Sequence, residues 1–420
     1  MTSLRLLHCA DLHLDSPLRG LEADRDAPAA RIRDATREAT RNLVDLALAE
    51  GVRLVLIAGD LYDGDWQDWR TGQFLLRQIE RLTRAGVRVV AIRGNHDAQS
   101  AITRHLRWPD GARLLAAGHP ETVEFADLAI AVHGQSFARR DVGENLAAHY
   151  PPPRPGRLNI GLLHTALSGR AGHDLYAPCS VEQLVSHGYE YWALGHVHAR
   201  EEVARAPWIV FPGNPQGRHI RETGAKGASL VTIREGRVAE VEHRPLDVVR
   251  WAALEVDVSG AADEDGAMAR VRQALDEVLR RADGRLLAAR LALVGACPAH
   301  GALNLDPGAT FEKCRREAQA CGGEVWIERV AVATRPVPAA PAGAEHADSV
   351  GVLARAIERP DIAALLAPLQ PWAAGLLERA SFLRAELGET HPAVLLARGE
   401  ISPELFDQAR AMLLARLAGT

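Results

Sequence analysis

The chain contains no apolar run of the ~18 residues that a membrane-crossing helix needs, so no such helix is expected. Its start, Met1-Thr2-Ser3-Leu4-Arg5-Leu6, enters strand-like sequence at once, without the charged and apolar regions of a secretion signal; a cytosolic protein is expected. Cysteine is sparse. The five, Cys9, Cys179, Cys297, Cys314 and Cys321, form no Cys-x-x-Cys pair, which speaks against a structural zinc site and against a disulfide framework. Cys314 and Cys321, seven apart, read as small packed hydrophobes on one helical face. Lysine is nearly absent, with only Lys226 and Lys313, so the positive charge is almost all arginine. In so alanine-rich a chain this is a compositional bias, and arginine identity alone is no sign of phosphate recognition, although guanidinium chemistry suits it. The net charge of −5 also removes the global basic signature of a nucleic-acid binder.

What is present is length and alternation. At 420 residues the chain predicts two or three domains. Over 1–245, short runs rich in Val, Ile, Leu or aromatics read as strands: Leu4–Ala10, Leu54–Ala58, Val87–Ile92, Leu128–His133, Leu158–Leu163, Tyr191–Leu194 and Trp208–Phe211. Helical patterns lie between them. One runs from about Pro28 to Glu50 with Asp26 as cap, another from Trp69 to Ala85, and a third starts at a Ser180/Gln183 capping box. Ala228–Ile233 and Arg237–Glu242 read as a closing hairpin. The expectation is an α/β fold, a layered sandwich domain flanked by helices. Residues 246–335 then follow the order strand, helix, strand, helix, strand and predict a small α+β domain. A Pro/Ala linker at 336–346 leads to a helical region, 347–420, interrupted at Pro360, Pro368, Pro371, Pro392 and Pro403.

Metal-capable side chains recur at the ends of the predicted strands. Asp11-Leu12-His13 follows the first; in extended backbone, side chains two apart point the same way, so a carboxylate and an imidazole converge. Gly59-Asp60-Leu61-Tyr62-Asp63 follows the second, where an Asp after a glycine turn can bridge two cations, or simply close an Asx turn. Gly94-Asn95-His96-Asp97 follows the third, and an Asn carbonyl oxygen suits a harder ion such as Mn²⁺ or Mg²⁺ better than Zn²⁺. His164 and the pair His196-Val197-His198 close two more runs. Each motif alone is also what a polar turn or a solvated histidine looks like. Five strand ends carrying ligand types together are not, because ligands of open α/β sheets bind beyond the carboxyl ends of the strands.

This ordered set, with the opening His8-Cys9-Ala10-Asp11-Leu12-His13-Leu14-Asp15-Ser16-Pro17-Leu18 and the segments Phe211–Arg218 and Glu222–Gly227, resembles the calcineurin-like metallophosphoesterases. Within them it resembles the bacterial DNA-repair exonuclease branch, SbcD/YhaO-like. The resemblance is specific over 1–245, looser over 246–335 and only architectural beyond. It implies one ion on Asp11, His13, Asp60 and His198, and a second on Asp60, Asn95, His164 and His196. It also implies a capping role for 246–335 and docking of 347–420 on a coiled-coil ATPase of the SbcC or YhaN kind. Packing of those helices on the chain's own body, or a homodimer through them, is the plainer alternative.

The activity so implied is a two-metal DNA exonuclease, cutting internally as well, in double-strand-break repair. Mn²⁺ suits the ligands best, with Mg²⁺, Fe²⁺ or Zn²⁺ as other occupants. His96 would protonate the leaving oxygen and Asp63 would orient it. Arg139, Arg140, Arg218 and Arg221, with Arg154, are candidates for backbone phosphates. The alternative enzyme reading is a phosphodiesterase or phosphatase for small nucleotides or phosphoproteins, to which the extra domain and helical tail give no support. A scaffold subunit whose metals only hold the fold is the third reading.

Overall fold

The computed structural model describes residues 3–16, 28–63, 69–98, 106–168, 176–337, 362–379, 391–401, 406 and 409. The expected cap Asp26, the Pro17-Leu18 end of the opening motif, the linker from 338 onward, Pro360, Pro403 and most of 347–420 lie outside them. The chain divides into two compact units, Met1–Ala252 with Arg280–Ala289, and Ala253–Leu279 with Arg290–Thr420.

The first unit is built on two six-stranded sheets. One contains β1 (Leu4–Cys9), β2 (Leu54–Ala58), β3 (Arg88–Ile92), β4 (Ala112–Leu114), β11 (Gly227–Arg234) and β12 (Arg237–Pro245), in the order β12-β11-β1-β2-β3-β4. The other contains β5 (Glu121–Phe125), β6 (Ile130–Gly134), β7 (Leu158–His164), β8 (Tyr191–Gly195), β9 (Glu201–Arg205) and β10 (Trp208–Phe211), in the order β5-β6-β7-β8-β10-β9. β1, β2 and β3 run parallel, as do β6, β7 and β8. Leu6, Leu54, Leu56 and Val90 of the first sheet meet Val132, Ile160, Leu162 and Tyr191 of the second in one apolar layer. The first sheet's other face is covered by α1 (Ala29–Ala49) and α2 (Trp69–Arg84), through Leu43, Val44, Phe74, Leu75 and Ile79. A strand buried on both faces is mainly apolar, which is why β2 reads as an unbroken run and β7 as one interrupted only by Asn159.

The strands that sequence reading passes over, β4, β5 and β9, are all at sheet edges. Each is short and half-exposed, and Glu-Thr-Val-Glu-Phe or Glu-Glu-Val-Ala-Arg carries no apolar run. The hairpin β11–β12 forms as expected, on a two-residue turn with φ of 54° at Glu235 and 71° at Gly236. Only half of the expected capping box forms: Ser180 accepts from the Gln183 N–H at the start of α3 (Val181–Ser186), but the Gln183 amide bonds Asn145 instead.

The second unit holds most of a three-stranded sheet, β13 (Val249–Asp257), β14 (Leu286–Ala296) and β15 (Val325–Arg335), with α4 (Glu264–Ala282), α5 (His300–Leu305) and α6 (Pro307–Ala320). Cys314 is buried on α6, and Cys321, the residue that caps that helix, is buried too, its thiol donating to the Glu317 carbonyl oxygen. Further on, the helix Ile362–Arg379 continues through Pro368 and Pro371, where interruptions are expected from sequence. Ala373 and Leu377 on it are buried, and it packs against the short helix Pro392–Ala397, which supports a path that the two missing N–H groups weaken. Pro392 starts its helix, where a proline costs nothing. Among the described residues no helix is long and apolar enough to cross a membrane.

One polar side chain pins the two sheets together. His8 on β1 is wholly buried, with Nδ1 2.9 Å from the Tyr191 hydroxyl and Nε2 3.0 Å from the Leu194 carbonyl oxygen. A carbonyl only accepts, so Nε2 carries the hydrogen and Nδ1 accepts from tyrosine. Burial pushes this histidine down from 6.5 to about 3. The unfolded chain therefore binds the extra proton first: the stability is fully present above pH 6.5 and is lost as pH falls toward 3. Urea unfolding should show His8→Gln losing less stability than wild type between pH 6 and 4.5, by about 1.4 kcal/mol per pH unit, the slope of one proton. Identical slopes would contradict a buried neutral His8.

Candidate metal centre

His164 is the last residue of β7, and the other ligand candidates sit just beyond strand ends, four of them in backbone that L-residues seldom adopt. β1 stops at Cys9, β2 at Ala58 and β8 at Gly195. Asp11 (φ 55°), His13 (φ 42°), Asp60 (φ 50°) and His196 (φ 103°) all lie in the left-handed region. The expectation that Asp11 and His13 converge through extended alternation, and His196 and His198 likewise, is therefore corrected. Convergence comes from tight turns, at roughly 1–3 kcal/mol of strain per residue. Backbone bonds hold the turns in place: Asp11 N–H to Gly59 O and His13 N–H to Asp60 O, both 3.0 Å. Asp97 is the fastener between two of them. Wholly buried, it accepts from the N–H groups of Gly94, Leu61 and Tyr62 at 3.0 Å each. Glycine is required where the sheets close: a Cβ on Gly195 would stand 1.9 Å from the Ala58 carbonyl oxygen.

These turns bring seven of the side chains into three overlapping groups: Asp11, His13 and His198; His13, Asp60 and His96; Asp60, His164 and His196. The donor atoms within each group all lie within 4.8 Å of one another. Asn95 joins them through His164, its Oδ1 standing 2.9 Å from His164 Nε2. Asp60 Oδ2 lies 3.8 Å from His13 Nε2 and 3.5 Å from His164 Nε2, so one carboxylate is common to both sides.

The protonation pattern leaves lone pairs facing one another. His164 Nδ1 donates to the Ala58 carbonyl oxygen at 2.9 Å, and burial pushes its pKa down to about 3, so Nε2 is a bare acceptor opposite the Asn95 oxygen. His198 Nδ1 donates to Glu222 Oε1 at 2.7 Å, and its Nε2 stands 3.0 Å from His13 Nε2. Burial, then the Asp60 charge, raise the Asp11 carboxyl well above the usual range. Two buried carboxylates with inward-facing imidazole nitrogens and an amide oxygen are short of positive charge, and divalent cations fit that set.

An outer layer surrounds the cluster. His96 Nδ1 lies 2.9 Å from Asp63 Oδ1, and Ser16 Oγ donates to Asp63 Oδ2 at 2.5 Å. Burial opposes the charged form of His96, but the Asp63 bond and the Asp60 charge outweigh it and raise its pKa. Arg218 lies 3.5 Å from Asp63 and 3.1 Å from Glu222. The other arginine candidates are elsewhere: Arg139 and Arg140 lie exposed beyond β6, Arg221 is exposed on the turn after Arg218, and Arg154 pairs with Glu124. None of those four pairs with the cluster among the described residues. Sequence reading gave no role to Asp97, Glu222, Ser16 or His8. All four stand inside the motifs given above, but a side chain that binds backbone or a residue distant in sequence has no spacing signature.

The chain matches the Calcineurin-like phosphoesterase family over residues 4–200 and the family described as Metallophosphoesterase YhaO, middle domain, over 251–335. It is 36% identical over 302 residues to the uncharacterized metallophosphoesterase YhaO of Bacillus subtilis, covering 71% of this chain and 73% of that protein. It is 25% identical to the DNA double-strand break repair protein Mre11 of Methanopyrus kandleri, over 64% of this chain and 63% of that one. Among solved structures, TT1561 of Thermus thermophilus aligns with a TM-score of 0.33 and 15% identity, over 58% of this chain and 99% of its own.

The charge deficit predicts a strong coupling of metal to stability. In scanning calorimetry, Mn²⁺ at about 100 times its dissociation constant should stabilise the wild type by about 2.7 kcal/mol per ion over the chelated protein. Asp60→Asn should abolish most of that gain. An unchanged gain would mean that Asp60 holds no ion.

Proposed function

Because the chain belongs to the calcineurin-like metallophosphoesterases of the YhaO type, we propose that it is a Mn²⁺-dependent DNA exonuclease, with endonuclease action at the same site, serving double-strand-break repair. The observation that carries this reading is that Asp60 belongs to two donor groups, one with His13 and His96 and one with His164 and His196, while His96 is also held by Asp63. When bound, two divalent ions supply Lewis acidity and charge neutralisation at a phosphodiester. Asp11, His13, Asp60 and His198 would hold one ion, and Asp60, Asn95, His164 and His196 the other.

The protein's own groups do the rest. Asp63 accepts the Nδ1 hydrogen of His96 and keeps the ring charged more readily than a free imidazole. The Nε2 hydrogen is then available to the leaving oxygen, the general-acid role. Ser16 and Arg218 hold the other oxygen of Asp63, so the carboxylate cannot turn away. Exposed Arg221, Arg139 and Arg140 are proposed to touch backbone phosphates, which would make binding fall steeply with salt. The Mre11 name of several relatives supports DNA as the substrate class.

The helix Ile362–Arg379 supports the partner reading. Leu369, Trp372 and Leu376, spaced three and four apart, share a face and are 45%, 67% and 44% exposed. We assign this stripe to a coiled-coil ATPase, whose apolar seam would cover it. Trp372→Glu should abolish co-elution with the ATPase in size-exclusion chromatography while leaving metal uptake intact. Retained co-elution would remove the stripe from the interface.

The activity is tested by nucleotide release from linear duplex DNA in Mn²⁺. His96→Ala should slow it by about 10²–10⁴-fold, the usual worth of a general acid, with metal uptake preserved. Cleavage of a small phosphodiester alone, with and without the ATPase, would replace the nuclease by a phosphodiesterase.

A further inference from the structure

Five side chains at the edge of the metal centre form a closed ring of contacts. Asp63 Oδ1 lies 3.6 Å from His13 Nδ1, and Asp63 Oδ2 lies 3.5 Å from Arg218 Nη1. Arg218 Nη2 lies 3.1 Å from Glu222 Oε1, which accepts from His198 Nδ1 at 2.7 Å. His198 Nε2 and His13 Nε2, 3.0 Å apart, complete the ring. Glu222 is held from three further sides: Oε2 accepts from the Arg218 backbone N–H and from Asn214 Nδ2, both at 2.8 Å, and His219 Nε2 stands 3.6 Å from Oε1. The charged members are largely shielded, with side-chain exposures of 18% for Asp63, 13% for Arg218 and 7% for Glu222.

The ring serves one side of the metal centre only. His198 is hydrogen-bonded outward to Glu222, His13 faces Asp63 at 3.6 Å in an ionic approach without a hydrogen bond, and Arg218 spans the two carboxylates. His164, on the other side, takes its outer partner from the backbone at Ala58. Resting on the two-metal reading above, we propose that Asp63, Arg218 and Glu222 form a single charged brace that sets the ion position at Asp11, His13 and His198, while the position at Asn95, His164 and His196 is set by backbone. Arg218 is then a positioning residue, committed to two carboxylates and not to a DNA phosphate. Lysine could not replace it, because a single ammonium cannot span both carboxylates in the plane that the guanidinium fork provides. Without the bridge, two carboxylates face each other with no cation between them, and His198 loses its fixed orientation.

The brace predicts a selective loss, which general damage would not give. The test is calorimetric titration of the chelator-treated full chain with Mn²⁺. Wild type should take up two ions. Arg218→Gln, Arg218→Lys and Glu222→Gln should each retain one ion at wild-type affinity and bind the other about 10–100-fold more weakly, the usual effect of removing a partner of a ligating imidazole. Arg237→Gln, on the exposed hairpin, should behave as wild type. Millimolar guanidinium should restore the second ion to Arg218→Ala but not to Glu222→Gln. If Arg218 variants do not fold by circular dichroism, near-isosteric Glu222→Gln decides the matter. Equal weakening of both ions, or two unchanged ions in the variants, overturns the brace. Wild type binding fewer than two ions overturns the two-metal reading and the brace with it. Selective loss in a protein that never degrades DNA leaves the brace standing and removes the nuclease.

Discussion

Asp60 is the residue on which the rest of the centre depends. Its carboxylate is 2% exposed and lies between the histidines of two strand ends, with His13 on one side and His164 on the other. Its backbone is left-handed, and its own N–H and the Gly94 turn crowd around it closely enough that a Cβ on Gly94 would fall 2.2 Å from Oδ1. Burying that charge beside Asp11 is costly in an uncompensated site. Burial pushes the pKa of His13 and His164, the imidazoles on either side of it, down to about 3, so these two cannot neutralise it. Divalent cations can, and the strained turns are then the cost of aiming the donors at one point.

The scaffold explains how the strain persists. Parallel strands β1, β2 and β3 deliver their turns side by side, and β7 and β8 deliver His164 and His196 from the facing sheet. Asp97 ties the β2 and β3 turns through three backbone bonds, and His8 pins β1 to β8 just below the site. Around this core, Asp63 and Glu222 give the outward imidazole nitrogens of His96 and His198 their partners. The chemistry therefore lives in turns that the rest of the fold over-determines, as strained functional backbone requires.

Much of this was legible in the sequence. The buried strands are legible as mainly apolar runs, and the ligand types stand at or directly after their ends, because a doubly covered strand admits a polar residue only where, as at His8, a partner satisfies it. Edge strands such as β5 and β9 were invisible for the converse reason. The Asp-x-His geometry was misjudged because no residue pattern distinguishes an extended exit from a left-handed one when the residue is Asp or His rather than Gly. Glu222 and Asp97 went unassigned because their partners, His198 and the Leu61 and Gly94 amides, are set by tertiary closeness. Arg218 looked like a phosphate ligand in the sequence, but the folded chain gives it two carboxylates.

The most direct test of a shared-carboxylate, two-ion centre is anomalous diffraction at the manganese edge from crystals grown with Mn²⁺. Two peaks flanking Asp60 are expected, one among Asp11, His13 and His198 and the other among Asn95, His164 and His196. A single peak, or ions held away from Asp60, would contradict the account.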